Sequence, residues 1–462
     1  MTKPGTHLTE VLRRAGMNPR QLAAAVNARL EARGLSARRI DPTAPYSWVR
    51  LGYKPYDPLP EVVAAVLSEH LGRPISVEQL WPHAEGVGTV VGAVSGLAHC
   101  TNAEDVVAAL SELTLSSASL HGEVSAATGP DLAAAVLDGI ATVVSLTRRN
   151  TNRDRVLPAQ VALIASHVAA LRRLDDRHGG GVLSLRYVTS ELRNVLDLVR
   201  SADYDATVGP ELMAIVADLA QLVGWVHFDA HRYGAAERYL LLSARVARAL
   251  EDRGRMANTV GMLVYISAFA GHGSQAVNIA EAAAEICPSD PALRARISGR
   301  VATAAAAAGD QRGFQAASEE ARELLRQARE APSYLYYLEP EQLAAEAGQA
   351  LVVLAEQATV YRKALLREAV ALLAPISAAG QRPDYPRSAL LHGAFLTRAY
   401  LLQGELEAAV SAAREAITRL TQVQSLRGIA CLRQLRPAFA RRSRSPVVSE
   451  FLPEFDMALS PT

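Results

Sequence analysis

The stretch RIDPTAPYSWVRLGYKP, residues 39–55, has the length and punctuation of one short helix and a turn, yet it holds few large aliphatic side chains. Hydroxyls, an aromatic pair and cations stand there instead. Thr43, Tyr46 and Ser47 fall near the start of such a helix, and Arg50 and Lys54 near its end. Side chains of these types can hydrogen-bond base edges and neutralise phosphates, so a groove of duplex DNA is one surface they fit. A solvated face of an ordinary bundle is the other reading.

Three further clusters bear weighing. HFDAH sets His227 and His231 four apart, as two zinc ligands on one helix would be, but no third ligand is evident. An inner-wall or packing role beside Trp225 and Phe228 is the plainer reading. SYLYYLEPEQ gathers Tyr334, Tyr336 and Tyr337, whose rings and hydroxyls suit either a ligand pocket or a plug between repeats. Trp225, His231, Tyr334 and Tyr337 are therefore the candidate effector contacts. GVGTVVG (Gly86, Gly88, Gly92) has no preceding strand and no βαβ setting, so it does not read as a nucleotide loop. With no P-loop, nucleophile elbow or Cys–His pairing, a catalytic role has nothing to rest on, and no cofactor is expected.

The elements that must carry these residues are helical. Apolar residues recur at three- and four-residue spacing, as at Leu8, Val11, Leu12 and Ala15, or Leu22, Val26 and Leu30, and alternating strand-like runs are nearly absent. Residues 1–82 read as a small helical module. Asn18 is placed as an N-cap, Pro19 at the first helical position and Gln21 as the third residue of a capping box. Arg20, at that helix start, and Arg38 and Arg39 beyond it join Arg50 and Lys54 as candidate phosphate contacts, with Gln21, Thr43, Tyr46 and Ser47 completing the set. Two features strain the pattern. NARLEARGLSARR makes the connection to the third helix long, and Pro45 is tolerable only in that helix's first turn.

Residues 83–103 read as a Gly-rich linker, 104–440 as a helical repeat domain and 441–462 as a tail. With His231, Gly271, Gly309 and Gly404 as turns, the next helix is anchored five residues on by Ala236, Ala276, Phe314 and Ala409. The intervals of 40, 38 and 95 leave room for a degenerate unit around LAEQATVYRKALLREAVALL. The expectation is all-α: a helix-turn-helix bundle followed by an irregular, TPR-like α-solenoid.

Charge divides along the same line. Residues 1–56 carry ten Lys or Arg against three acids, an excess of seven, while the whole chain has a net charge of +1. A basic module on a mildly acidic body is what a protein presents when one end meets a polyanion. Cys100, Cys287 and Cys431 are too few and too scattered for a disulfide framework, which suits a reducing cytoplasm. The opening residues lack a signal-peptide pattern, and VGMLVYISAFAG (260–271) is too short to cross a bilayer. RGIACLRQLRPAFARRSRS carries six Arg and no acid, and reads as a solvated last helix, a dimer contact or an auxiliary DNA grip.

NPRQLAAAV followed by DPTAPYSWVRLGYKP resembles an XRE-type helix-turn-helix, with Trp48-Val49-Arg50 standing for that family's Trp-Glu-Arg. LAQLVGWVHFDAHRYGAAERYLLLSARVA, YLYYLEPEQLAAEAGQALVVL and AAREAITRL are similar to the bodies of actinobacterial regulators that join such a head to a TPR-like array. Negative regulators of sporulation and antibiotic production belong to that group. The resemblance implies a nucleoid-associated cytoplasmic transcription factor, homodimeric on double-stranded DNA. Its array would sense a small-molecule or peptide effector or make protein contacts. A scaffold whose head binds a protein partner is the alternative.

Overall fold

The computed structural model of the chain describes residues 7–32, 34–56, 58–81, 94, 96–118, 124, 126–127, 129–142, 155–358, 360–378 and 385–460. Among them the fold is all-α, with one isolated β-bridge between Arg155 and Asp203.

The head is a five-helix bundle: α1 (His7–Ala15), α2 (Pro19–Ala32), α3 (Ala44–Leu51), α4 (Leu59–Leu71) and α5 (Val77–Leu80), with a 3₁₀ turn at Ser36–Arg38. Its core holds the stripe expected from periodicity, Leu8, Val11 and Leu12 of α1 and Leu22, Val26 and Leu30 of α2, joined by Val62, Val63 and Leu67 of α4. The start of α2 is capped as its residues dictate. Asn18 Oδ1 accepts from the Gln21 N–H and Gln21 Oε1 accepts from the Asn18 N–H, both at 2.9 Å.

Most of the Gly-rich 83–103 segment, including Gly86, Gly88 and Gly92, lies outside the described residues. Its described end does not behave as a spacer, because Leu97 and Cys100 are buried in the core of the body. From there come α6 (Ala103–Ala118), α7 (Pro130–Ala141), α8 (Pro158–His178) and α9 (Val182–Ser201). Five hairpins follow: α10 (Val208–Asp229) with α11 (Tyr233–Ala249), α12 (Arg253–Phe269) with α13 (Gly273–Ile286), and α14 (Pro291–Ala307) with α15 (Gln311–Gln327). Then α16 (Pro340–Gln357) pairs with α17 (Arg362–Ser377), and α18 (Pro386–Gln403) with α19 (Leu406–Thr418). Each first helix from α10 to α18 stacks on the next, the mark of a helical repeat array.

The turns carry the repeat. His231, Gly271, Gly309 and Gly404 have φ of 59°, 85°, 79° and 87°, the left-handed conformation that ends a helix and reverses the chain. Five residues on, Ala236, Ala276, Phe314 and Ala409 are all buried where paired helices meet. The degenerate unit obeys the same rule: Tyr361 has φ 62° and Leu366, five later, is buried.

The array ends in α20 (Leu426–Arg433), α21 (Arg436–Ala440) and α22 (Pro446–Ala458). Residues 441–462, expected as a tail, thus include a packed helix. Val448, Phe451, Phe455 and Leu459 are buried, and the rings of Phe451 and Phe455 lie 5.3 and 5.5 Å from Phe439. The basic run before it is largely engaged: Arg436 pairs with Asp456 at 2.8 Å and Arg433 donates to the Leu459 carbonyl. Among the described residues one helix, Val208–Asp229, is long and apolar enough to cross a bilayer, but it is mostly buried in the array and so is weak evidence for a span.

Candidate nucleic-acid interface and interior groove

Helix α3 is fixed from one side. Trp48 is buried edge-to-face on Trp81 at 6.5 Å, Pro45 is buried, and the Thr9 hydroxyl donates to the Val49 carbonyl at 3.1 Å. Pro45 sits within the first turn, where it has no intrahelical N–H to forfeit, and Gly52 at φ 73° ends the helix. Arg20, Gln21, Arg38, Arg39, Thr43, Tyr46, Arg50 and Lys54 are all exposed, and Ser47 is half-buried. Among the described residues, no ion pair engages Arg20, Arg38, Arg50 or Lys54; Arg39 lies 3.7 Å from Glu31.

The hydroxyls are less free than their spacing implied. Ser47 donates to the Ala44 carbonyl at 2.8 Å, the usual i−3 bond of a helical serine. Thr43 donates its hydroxyl and its N–H to Asp41, holding that carboxyl below its ordinary pKa. Gln21 is committed to its capping box. The side chains left exposed on the outer face are Tyr46 and the cations. Two residues that sequence reasoning passed over join them: Tyr53 and Tyr56, 63 % and 93 % exposed, flank Lys54 beyond the helix.

The α2–α3 connection is no tight turn. Asn27 holds its far end: its side-chain amide donates to the Ile40 carbonyl at 2.9 Å and accepts from the Ile40 N–H at 2.8 Å. The head meets the array elsewhere, through α4 and α5. Gln434 donates to the Leu71 carbonyl, Arg73 donates to the Ala270 carbonyl at 3.2 Å, and Gln79 lies 3.0 Å from His272 Nε2. Gly72, at φ 62°, leaves so little space that a Cβ there would stand 2.6 Å from that of Ala430.

Inside the array, α8 packs against both α10 and α18. A groove of about 800 Å³ runs between α8, α10 and the α15–α16 connection, with Val161, Val168 and Ile215 among its apolar wall. It shares Arg172, Asp176, Tyr336 and Tyr385 with a deeper recess of about 90 Å³. Of the four candidate effector contacts, Trp225, Tyr334 and Tyr337 line that recess. His231 does not. Its imidazole is tied down at the α10–α11 turn, with Nδ1 2.6 Å from the Tyr233 hydroxyl.

The recess is also lined by charges that sequence reasoning missed. Arg387 lies 3.1 Å from both Asp175 and Asp176, and the Tyr336 hydroxyl donates to Asp176. Glu346 is shared by Arg296 and Arg300. Burial opposes its charge, yet the two guanidinium groups hold its carboxyl well below the usual range. Burial pushes Asp175 up to about 7 against the pull of Arg387. Arg427 lies 3.2 Å from Asp229 and over the rings of Phe228 and Trp225, at 4.8 and 5.0 Å. A helical sequence marks none of these, since each partner is decades to hundreds of residues away.

His227 is buried and stacked on Tyr239 at 5.2 Å, and burial pushes its imidazole down to about 3. Among the described residues, no group of three His, Cys, Asp or Glu is placed to hold a metal ion.

The family described as the SP15 N-terminal domain matches residues 8–80, which are α1 to α5. No curated protein matches the chain.

Proposed function

We propose that the chain is a DNA-binding transcriptional regulator, acting as a homodimer, whose helical array senses an effector. The head meets duplex DNA with the outer face of α3. Arg20, Arg38, Arg50 and Lys54 contact phosphates, and Tyr46 and the flanking Tyr53 and Tyr56 approach the groove. The observation that carries the reading is that those four cations are exposed and, among the described residues, without an ion pair, on a bundle docked to the array by its other helices. The groove between α8 and α10 has the size and apolar wall of a small-molecule site.

Anisotropy on a labelled random-sequence duplex, titrated at rising salt, tests it. Log affinity falls linearly with log salt, by about 0.9 for each phosphate contacted. A purified protein that shifts no duplex at low salt overturns the reading. The exposed Tyr53 and Tyr56 then favour the alternative, a head that grips a protein partner on an array that acts as a scaffold.

A further inference from the structure

Within the recess, three buried side chains are left incompletely bonded. Arg427 Nη1 has no hydrogen-bond partner, and its Nε faces Asp229 without the alignment of a hydrogen bond. Among the described residues Arg172 Nη2 and Asp175 Oδ1 also lack one, although Arg172 Nη2 lies 3.5 Å from the Asp218 carboxylate. All three residues are more than nine-tenths buried. Among the described residues, Arg427 Nη1 is thus a donor with neither a hydrogen bond nor a carboxylate partner, in a place where an unpartnered donor is costly. Around them stand Trp225, Tyr265, Tyr334, Tyr336, Tyr337 and Tyr385, flat faces that favour a ring. A guest that satisfies the site brings acceptors on a small aromatic body.

Arg427 has a second position of interest. It is the second residue of α20, and three residues on, Ala430 abuts Gly72 of the head, with Gln434 just past the helix bonded to Leu71. One two-turn helix therefore touches the recess and the head.

We propose that the recess, where it opens past Tyr336 and Tyr385 into the larger groove, binds a single-ring aromatic carboxylate, whose carboxylate accepts from Arg427 while its ring reaches along those tyrosines into the groove, and that α20 passes occupancy to the head. This rests on the effector-groove reading above, but the site does not require that the head bind DNA.

Calorimetry on the full chain tests it with benzoate, 4-hydroxybenzoate and phenylacetate, each against its neutral alcohol. At least one acid binds with a Kd below about 1 mM, and its alcohol binds at least about tenfold more weakly. Ser388→Phe fills the recess from α18 without touching any ion pair described above, and abolishes binding. Arg427→Gln combined with Asp229→Asn, which removes both buried charges together, weakens it by about tenfold or more and decides the matter if the first variant does not fold. In hydrogen exchange, the bound acid alters protection at residues 71–73 and 430–434 of the wild type.

The proposal is overturned if no acid binds, if acid and alcohol bind alike, or if binding survives the filled recess. Binding without altered exchange at 71–73 removes the relay. Acid binding by a protein that shifts no duplex removes the DNA reading and leaves the recess standing.

Discussion

The arginines around α3 in the head and those around the recess in the array are used in opposite ways, although Arg13, Arg14, Arg29 and Arg39 of the head do pair with carboxylates. In the head, Arg20, Arg38 and Arg50 project into solvent with no ion pair among the described residues. In the array, Arg296, Arg387 and Arg427 are buried, each with at least one carboxylate at 2.5 to 3.2 Å. An exposed guanidinium keeps its hydration and its long-range field and adds little to stability. A buried one is tied to its partners, because removing either leaves an uncompensated charge in a poor solvent for it. The same residue type therefore offers an outside partner something at one end, and fixes the shape of a cavity at the other.

Breaking the array side should have the largest effect. Arg387→Ala strands Asp175 and Asp176 together, and the expected loss is about 3–5 kcal/mol in urea unfolding. Unfolding within about 1 kcal/mol of wild type would mean that the pair is solvated and the contrast with the head is false.

Next comes acid sensitivity. The folded pKa of His227, about 3, is below its ordinary value of 6.5. Its contribution is thus fully present above pH 6.5 and is lost as pH falls toward 3, at up to about 1.4 kcal/mol per pH unit. His227→Phe removes that slope. Asp175 works in the other sense: its folded value of about 7 exceeds its ordinary 3.8, so its contribution declines as pH rises between them. Urea midpoints measured across pH for the wild type and His227→Phe separate the two.

The junction gives a smaller effect. Gly72→Val forces a branched side chain into a left-handed position against Ala430, and should cost about 1–3 kcal/mol of docking while leaving the array's own transition in place. Proteolysis after Arg73 that rises only in the variant would confirm it. The smallest effect on stability is Arg50→Ala, within about 0.5 kcal/mol, although it lowers the salt slope of duplex binding by about one. A large loss of stability there would place Arg50 with the buried arginines instead.

Local rules were legible in the sequence, and long-range ones were not. Asn18 and Gln21 announce their cap, and the small-residue turns announce the repeat, because both depend on neighbours within a few positions. The final helix was missed because Pro453 and a run of arginines mask the helical spacing of Phe451 and Phe455. On the head, spacing placed Tyr46 and Arg50 outside on α3, where they are exposed, yet not that Ser47 is half-buried with its hydroxyl turned back on its own helix. In the array, three aromatic residues of the recess could be read from composition. The arginines beside them could not, since nothing near Arg387 in the chain hints at Asp175 more than two hundred residues earlier.

The paired bonds between Asn27 and Ile40 fix where the chain arrives before α3, rather than the path it takes. The exposed residues 36–39, beyond the buried Leu30 and the packed Leu35, are therefore the part free to lengthen or shorten during evolution without moving the helix that follows. Insertions and deletions should collect there, while the amide at position 27 stays put.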